Sequence, residues 1–262
     1  MNLVVKLGGH TLDTLAPTSP VLVDLARDVA QLRSEGHDVA IVHGGGPQIG
    51  ALLASVGIAS RFHEGLRVTD ARTMDYVAMA LGHVNVAIVA AMNQAGLRAV
   101  GLSGADATML VATSLGEPWD RAGTAVKVDV EIVRASWREG YTPVVSSLAV
   151  DDDGERLNCN ADTVAGALCA ALEPCTLVLL SDIDQLRGDV DDAGSALATV
   201  TASQVRELLQ SGAARDGMVP KMNAALDALD AGAERVLMAN GTRAHALSEA
   251  LGGAIPTTEV LR

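Results

Sequence analysis

Short apolar runs alternate with helical stretches along this chain, and that alternation limits its fold more than any other feature. LVVKL (3–7), DVAIVH (38–43) and TLVLLSD (176–182) read as buried strands, with further strands at 97–103, 124–130, 142–150 and 234–239. Between them lie helical patterns at 21–35, 44–57, 130–140, 160–172, 201–212, 217–231 and 242–251. A longer one runs from Thr69 or Asp70, either of which suits an N-cap, to Asn93. Residues 58–69 read as irregular or hairpin, and DDDGERL (151–157) as a hairpin turn. Strands alternating with helices predict an α/β fold around a largely parallel sheet. A helix ends and a new strand series begins at Glu173–Pro174, which predicts two lobes, 1–174 and 175–262.

Composition narrows the class. With 262 residues, 49% hydrophobic and only 2% aromatic, the chain buries a full core built from Val, Leu, Ala, Ile and Met. A net charge of −13 opposes general nucleic-acid binding, which needs basic surface to displace counterions. No apolar run is expected to span a bilayer, and MNLVVKLGG opens on a strand with no visible leader. The three cysteines, Cys159, Cys169 and Cys175, lack metal-ligand spacing, and their odd number predicts no disulfide framework and a reduced cytoplasm. Only three of the 19 basic residues are lysines: Lys6, Lys127 and Lys221.

Two of those lysines fall in loops with anion-binding chemistry. Lys6-Leu7-Gly8-Gly9 ends a strand in two glycines, so that backbone N–H groups can approach an anion beside a fixed charge; an ordinary strand-to-helix turn reads the same way. His43-Gly44-Gly45-Gly46-Pro47 sets three glycines between a strand and a helix, aiming unpaired N–H groups from a helix N-terminus. A plain turn seldom needs three, since each costs about 0.5–1 kcal/mol relative to Ala in regular structure. Asn158-Cys159-Asn160-Ala161-Asp162 brackets a strand-to-helix turn with more polar groups than one cap needs. In Asp216-Gly217-Met218-Val219-Pro220-Lys221 a lysine stands at a helix start, where the dipole disfavours a cation unless a phosphate meets it. Arg67, in GLRVTD (65–70), is either a surface residue or a fork for a carboxylate. No Gly-Lys dipeptide occurs, which excludes the usual P-loop; the lack of G-x-G-x-x-G after the first strand weakens a Rossmann reading, and no G-x-S-x-G elbow or H-E-x-x-H is present.

KLGG (6–9), IVHGGGPQI (41–49), GLRVTD (65–70), VGLSG (100–104), NCNADTVAGAL (158–168), LLSDI (179–183) and DGMVPKMNAAL (216–226) together resemble the amino-acid kinase superfamily, and within it the N-acetyl-L-glutamate kinases. The resemblance implies an open three-layer αβα sandwich with a mainly parallel central sheet. It implies an N-terminal lobe for the acyl-amino acid and dimerisation, a C-terminal lobe for ATP, and γ-phosphoryl transfer from ATP to a side-chain carboxylate in arginine biosynthesis. Lys6 and Lys221 would stabilise the transferring phosphoryl, with Asp162 orienting both and the N–H groups of Gly8, Gly9, Gly44 and Gly45 completing the cradle. Arg67 and Asn158 would hold the substrate α-carboxylate. Asp182, Ile183, Asp184, Gln185, Leu186 and Arg187, with Ala213, Ala214 and Arg215, would border the nucleotide.

Mg²⁺ would travel on the ATP phosphates with no metal ligands from the protein. A carboxylate is already ionised at neutral pH, so the transfer needs no general base. Because the chain starts almost at its first strand, the resemblance also implies a cytoplasmic homodimer without arginine feedback. Two alternatives remain open: a kinase for aminoadipate or glutamate masked by an acidic carrier protein or for another N-blocked acidic amino acid, and a non-catalytic ligand sensor.

Overall fold

The computed structural model describes residues 1–189, 192–212 and 218–262, and the alternation is realised in it as one long sheet between helical layers. The chain opens with β1 (Asn2–Leu7), α1 (Pro20–Ser34), β2 (Asp38–His43), α2 (Gly46–Ser55) and the hairpin β3 (Phe62–His63) and β4 (Leu66–Arg67). Next come α3 (Ala71–Gln94), β5 (Ala99–Leu102), β6 (Leu110–Gly116), β7 (Asp120–Val128), α4 (Glu131–Arg138), β8 (Thr142–Ser146), β9 (Leu148–Val150) and β10 (Arg156–Cys159). Then follow α5 (Ala161–Ala171), β11 (Cys175–Ser181), β12 (Leu186–Arg187), β13 (Ala196–Leu197), β14 (Thr199–Thr201) and α6 (Ala202–Ser211). The last elements are α7 (Met218–Ala231), β15 (Arg235–Asn240), α8 (Ala246–Gly252) and β16 (Thr257–Leu261).

The eight-stranded sheet has the order β14-β16-β15-β11-β1-β2-β8-β5 and is parallel except where β16 runs against β15. Side chains alternate across it. Leu3, Val5 and Leu7 of β1 pack with α1, α3 and α8, whereas Val4 joins the layer formed by α4 to α7. Lys6 has the parity of Val4, so the pleat aims it at α5. On that side a Cβ at Gly166 of α5 would lie 3.0 Å from Ala228 Cα of α7, so the two helices pack backbone to backbone. Their close approach sets the helices carrying Asp162 and Lys221 side by side.

Asp70, not Thr69, caps α3, its carboxylate accepting from Thr73 N at 2.7 Å. This bond to a backbone N–H holds the Asp70 carboxyl below its ordinary pKa. At 24 residues α3 is long and apolar enough to cross a bilayer, which corrects the expectation that no segment is. Its Met74, Val77, Leu81, Val84, Ile88 and Met92 are buried in the protein's own core, as befits a core helix.

Two further sequence expectations change. TPVVSSLAV is two strands: β8 ends at Ser146 in the main sheet, and β9 begins at Leu148 in a small closed barrel, β10-β7-β6-β9. Ser147 is the joint, donating N–H to His43 O (3.1 Å) and accepting from Cys159 N (3.2 Å). The cysteines are not all free: Cys169 of α5 and Cys175 of β11 form a disulfide, Cα–Cα 5.5 Å, and Cys159 is a buried thiol. The main sheet runs on past residue 174, β11 lying beside β1 in the register Asn2↔Cys175 to Leu7↔Leu180.

Candidate active site

The loops that leave the carboxyl ends of β1, β2, β8 and β11 converge on one side of the sheet, where open α/β folds place their ligands. They surround a cavity of about 280 Å³ whose walls include Lys6, Gly44, Gly45, Gly46, Arg67 and Asn158. Five sequence-derived candidates, from β1, β10, the hairpin and the second glycine loop, therefore meet in one space.

At one end Lys6 Nζ lies 2.7 Å from an Asp162 carboxylate oxygen. Asn160 supplies the cap of α5, its Oδ1 accepting from Asp162 N at 2.9 Å, and this leaves the Asp162 side chain for the lysine. Lys221, in the first turn of α7, is held by Asp182 at 2.8 Å, where Asp162 was expected to orient both lysines. Lys127 is exposed on β7 and stands outside the cavity.

The two glycine loops differ. Gly8 N–H donates to Leu180 O at 2.8 Å, so it is not available to an anion, contrary to the expectation that it joins the cradle. What Gly8 provides is closeness, because a Cβ there would lie 3.0 Å from that same carbonyl oxygen. The N–H groups of Gly44 and Gly45, in contrast, donate to no acceptor among the described residues, at the entrance to α2.

Arg67 is 9% exposed, so it is not a surface residue. Its guanidinium donates to Ser60 Oγ (2.6 Å) and Gly46 O (3.2 Å) and lies over the Phe62 ring, 4.7 Å from its centroid. No carboxylate pairs with it among the described residues, and burial pulls its pKa down. Asn158 Nδ2 donates to Thr69 Oγ1 (3.1 Å), and that hydroxyl donates to Arg67 O (2.9 Å), tying β10 to the hairpin.

The loop after β11 is anchored rather than open along its length. Asp182 holds Lys221, and Asp184 accepts from Arg243 Nε (2.8 Å) and Asn240 Nδ2 (3.1 Å), contacts that keep its pKa low. Ile183 N reaches Ser181 Oγ at 3.5 Å, and Gln185 Nε2 donates to Thr257 O at 3.0 Å. Leu186 is fully buried in the core and its N–H donates to Thr258 Oγ1, so its side chain borders no ligand, contrary to expectation. Arg187 pairs with Ala196 across β12 and β13. Ala213, Ala214 and Arg215 lie outside the described residues.

Two further groups line or back the cavity. Burial pushes the Cys159 thiol up to about 12, which makes it an inert wall. Burial likewise drops His43 to about 4, partly offset by its bond to Gly44 O. The unfolded chain, with a histidine near 6.5, then holds the proton that the folded chain refuses, so stability falls as pH drops from 6.5 towards 4. Between pH 7 and pH 5 this one group removes about 2 kcal/mol. Urea midpoints at the two pH values should show that loss in the unsubstituted chain and a correspondingly smaller one in His43→Asn. Equal losses would contradict the assignment.

Sequence reasoning missed Ser147 and Phe62 as cavity residues. Ser147 is buried, 3% exposed, in the cavity wall. Only the strand break places it there, and nothing local marks that break. Phe62, the sole Phe of the chain, lay in a segment that read as irregular or hairpin.

A parallel sheet whose loops bring a buried guanidinium, N–H groups without an acceptor among the described residues and Lys6 to one cavity, with Lys221 on a helix packed beside that of Asp162, suits a protein that acts on small anions. The chain belongs to the amino acid kinase family, whose sequence profile matches residues 1–240, and it is a kinase. The acetylglutamate kinase of Brevibacillus brevis is 38% identical over 97% of this chain and 95% of its own. That of a Nostoc species is 41% identical over 93% of this chain and 82% of its own. In fold, the chain superposes on N-acetylglutamate synthase from Neisseria gonorrhoeae with a TM-score of 0.84 at 23% identity, covering 100% of this chain and 59% of that one. ATP is the phosphoryl donor that this kinase relationship implies.

Proposed function

We propose that this protein transfers the γ-phosphoryl group of ATP to the side-chain carboxylate of N-acetyl-L-glutamate, the step of arginine biosynthesis that the names of its relatives indicate. The observation that carries the reading is Arg67, a buried guanidinium without a carboxylate partner among the described residues, in the same cavity as Lys6 and the Gly44–Gly45 N–H groups. One end of the cavity can neutralise a fixed α-carboxylate while the other receives the reacting one. Arg67 and Asn158 hold the first. Gly9, Gly44, Gly45, Lys6 and Lys221 surround the transferring phosphoryl, with Asp162 steadying Lys6.

In the transfer a carboxylate oxygen forms a bond to the γ-phosphorus as the bond to the ADP oxygen breaks, giving an acyl phosphate and ADP with no proton moved. Positioning and charge neutralisation carry such a reaction. Both nitrogens of His43 are occupied, by Gly44 O and Asn85 Nδ2, which fits a mechanism without a base. Mg²⁺ would ride on phosphate oxygens, since Asp162 and Asp182 are each engaged by a lysine.

In this reading residues 1–174 hold the acyl-amino acid and 175–262 the nucleotide, in a cytoplasmic homodimer. Met79 and Val86 stand exposed on α3, and β5 is an open sheet edge, which supports pairing through that side. A coupled ADP-release assay with N-acetyl-L-glutamate, free L-glutamate and N-acetyl-L-aminoadipate tests the proposal. Turnover should be greatest with the first; no turnover with any N-blocked acidic amino acid would sink it.

A further inference from the structure

His43 takes no part in the chemistry above, yet it is fully buried one residue before Gly44. Its Nδ1 lies 2.8 Å from Gly44 O, and its Nε2 lies 3.1 Å from Asn85 Nδ2 on α3. The same Asn85 nitrogen is 2.9 Å from Val144 O of β8, a group that only accepts, so this atom is the amide nitrogen and donates to both. Nε2 therefore accepts, and the single proton of the neutral ring sits on Nδ1, donating to Gly44 O.

Asn85 is itself tightly seated. Its Oδ1 occupies the space beside Gly101 of β5, where a Cβ would lie only 2.0 Å away. That gives a physical reason for glycine within VGLSG (100–104), a motif far along the chain from both glycine loops. Three strands and α3 thus meet at one amide.

The consequence lies in the next peptide. Gly44 C=O and Gly45 N–H belong to one planar trans peptide unit and point in opposite directions. Holding the carbonyl against the buried imidazole turns the N–H the other way. Gly45 lines the cavity, and its N–H has no protein acceptor among the described residues.

We propose that Asn85 and His43 form a positioning relay that fixes the Gly44–Gly45 peptide and so aims the Gly45 N–H at the substrate. The relay rests on the function proposed above and deepens it. His43 and Asn85 are positioning residues, acting through a backbone donor; preorganised donors of this kind matter because they need not reorient as charge develops.

The test compares three variants by kcat and KM. In His43→Asn the amide nitrogen stands near the position of Nδ1 and keeps a donor for Gly44 O, whereas His43→Leu has none. Asn85→Leu removes the group that fixes the tautomer. For the acyl-amino acid, kcat/KM should fall about 100-fold in His43→Leu, about tenfold in Asn85→Leu and less than fivefold in His43→Asn. KM for ATP should stay within about twofold in all three, a selectivity that general loosening of the core would not produce. Equal losses in the two His43 variants would overturn the relay. If His43→Leu does not fold, Asn85→Leu decides: kcat/KM within twofold of the unsubstituted chain overturns the relay, and a tenfold loss at unchanged KM for ATP supports it. An unsubstituted chain inactive on every N-acyl acidic amino acid would bring down the function and the relay together. An active one with Asn85→Leu unimpaired would bring down the relay alone.

Discussion

Replacing Lys6 or Lys221 by methionine is expected to lower kcat about a thousandfold, with little change in the KM of either substrate. Each lysine puts a compact point charge beside a phosphoryl group that carries most of its charge in the transition state, and removing one such preorganised donor typically costs a factor of about 10²–10³. Methionine keeps the length and the apolar stem. The loss is therefore one of charge, and not of packing. Lys6 is 12% exposed at its side chain and Lys221 22%, each against a carboxylate, so neither is a freely solvated surface lysine. Before ATP arrives, Asp162 balances Lys6 and Asp182 balances Lys221. Removing Lys6 leaves Asp162, 21% exposed, to be met by water, so the fold should survive, and an unchanged far-UV spectrum would confirm that. Arginine at either place should fail nearly as badly, because a planar fork does not reproduce a point charge at the end of a strand. Turnover by Lys221→Met within tenfold of the unsubstituted chain would show that this lysine does not act on the phosphoryl group.

The sequence made the layering and the loops readable because their signals are local. The runs that became β1, β2 and β11 are buried on both faces, and their apolar character shows without any partner being known. The hairpin at 62–67 and the helix after Asp70 follow from turn and cap chemistry within a few residues. What stayed hidden depends on distant partners. Ser147 is a strand break only because its N–H meets β2 while its carbonyl meets β10, and an unbroken apolar run gives no hint of that exchange. The strands β6 and β16 are of mixed polarity, defined by β7 and by β15 and β14. Gly8 looked like an anion donor because its competitor, Leu180 O, lies on a strand that begins at residue 175. Lys221 and Asp182 are likewise far apart in the chain, as are His43 and Asn85. Residue type and loop chemistry thus named several of the groups around the cavity, while partnership, and with it electrostatics, had to come from the fold.

Arg67→Met should raise the KM for the acyl-amino acid at least 100-fold while changing kcat far less, the reverse of the lysine result. Arg67 binds, in this reading, a carboxylate that does not react, so its contribution is the same in ground and transition states. A hydrogen-bonded pair to a charged group, largely removed from water, is worth about 3 kcal/mol or more when one partner is truncated, which corresponds to that change in KM. The free protein should respond in the opposite sense. Its guanidinium is buried against Ser60 Oγ, Gly46 O and the Phe62 ring, and burial lowers its pKa, so among the described residues the site carries a desolvated charge with no carboxylate beside it. Methionine would fill much of that volume beside Phe62 without the charge, and the ligand-free variant should melt no lower than the unsubstituted chain. Ligand binding adds RT ln(1 + [L]/Kd) to stability, about 2.7 kcal/mol at a hundredfold excess over Kd. N-acetyl-L-glutamate should therefore raise the melting temperature of the unsubstituted protein and leave Arg67→Met where it was. A variant that melts as high as the unsubstituted chain, yet no longer responds to substrate, would show a cation kept at the expense of the empty fold for the carboxylate it receives. A variant that still shifts by the full amount would mean that the α-carboxylate is held elsewhere in the cavity.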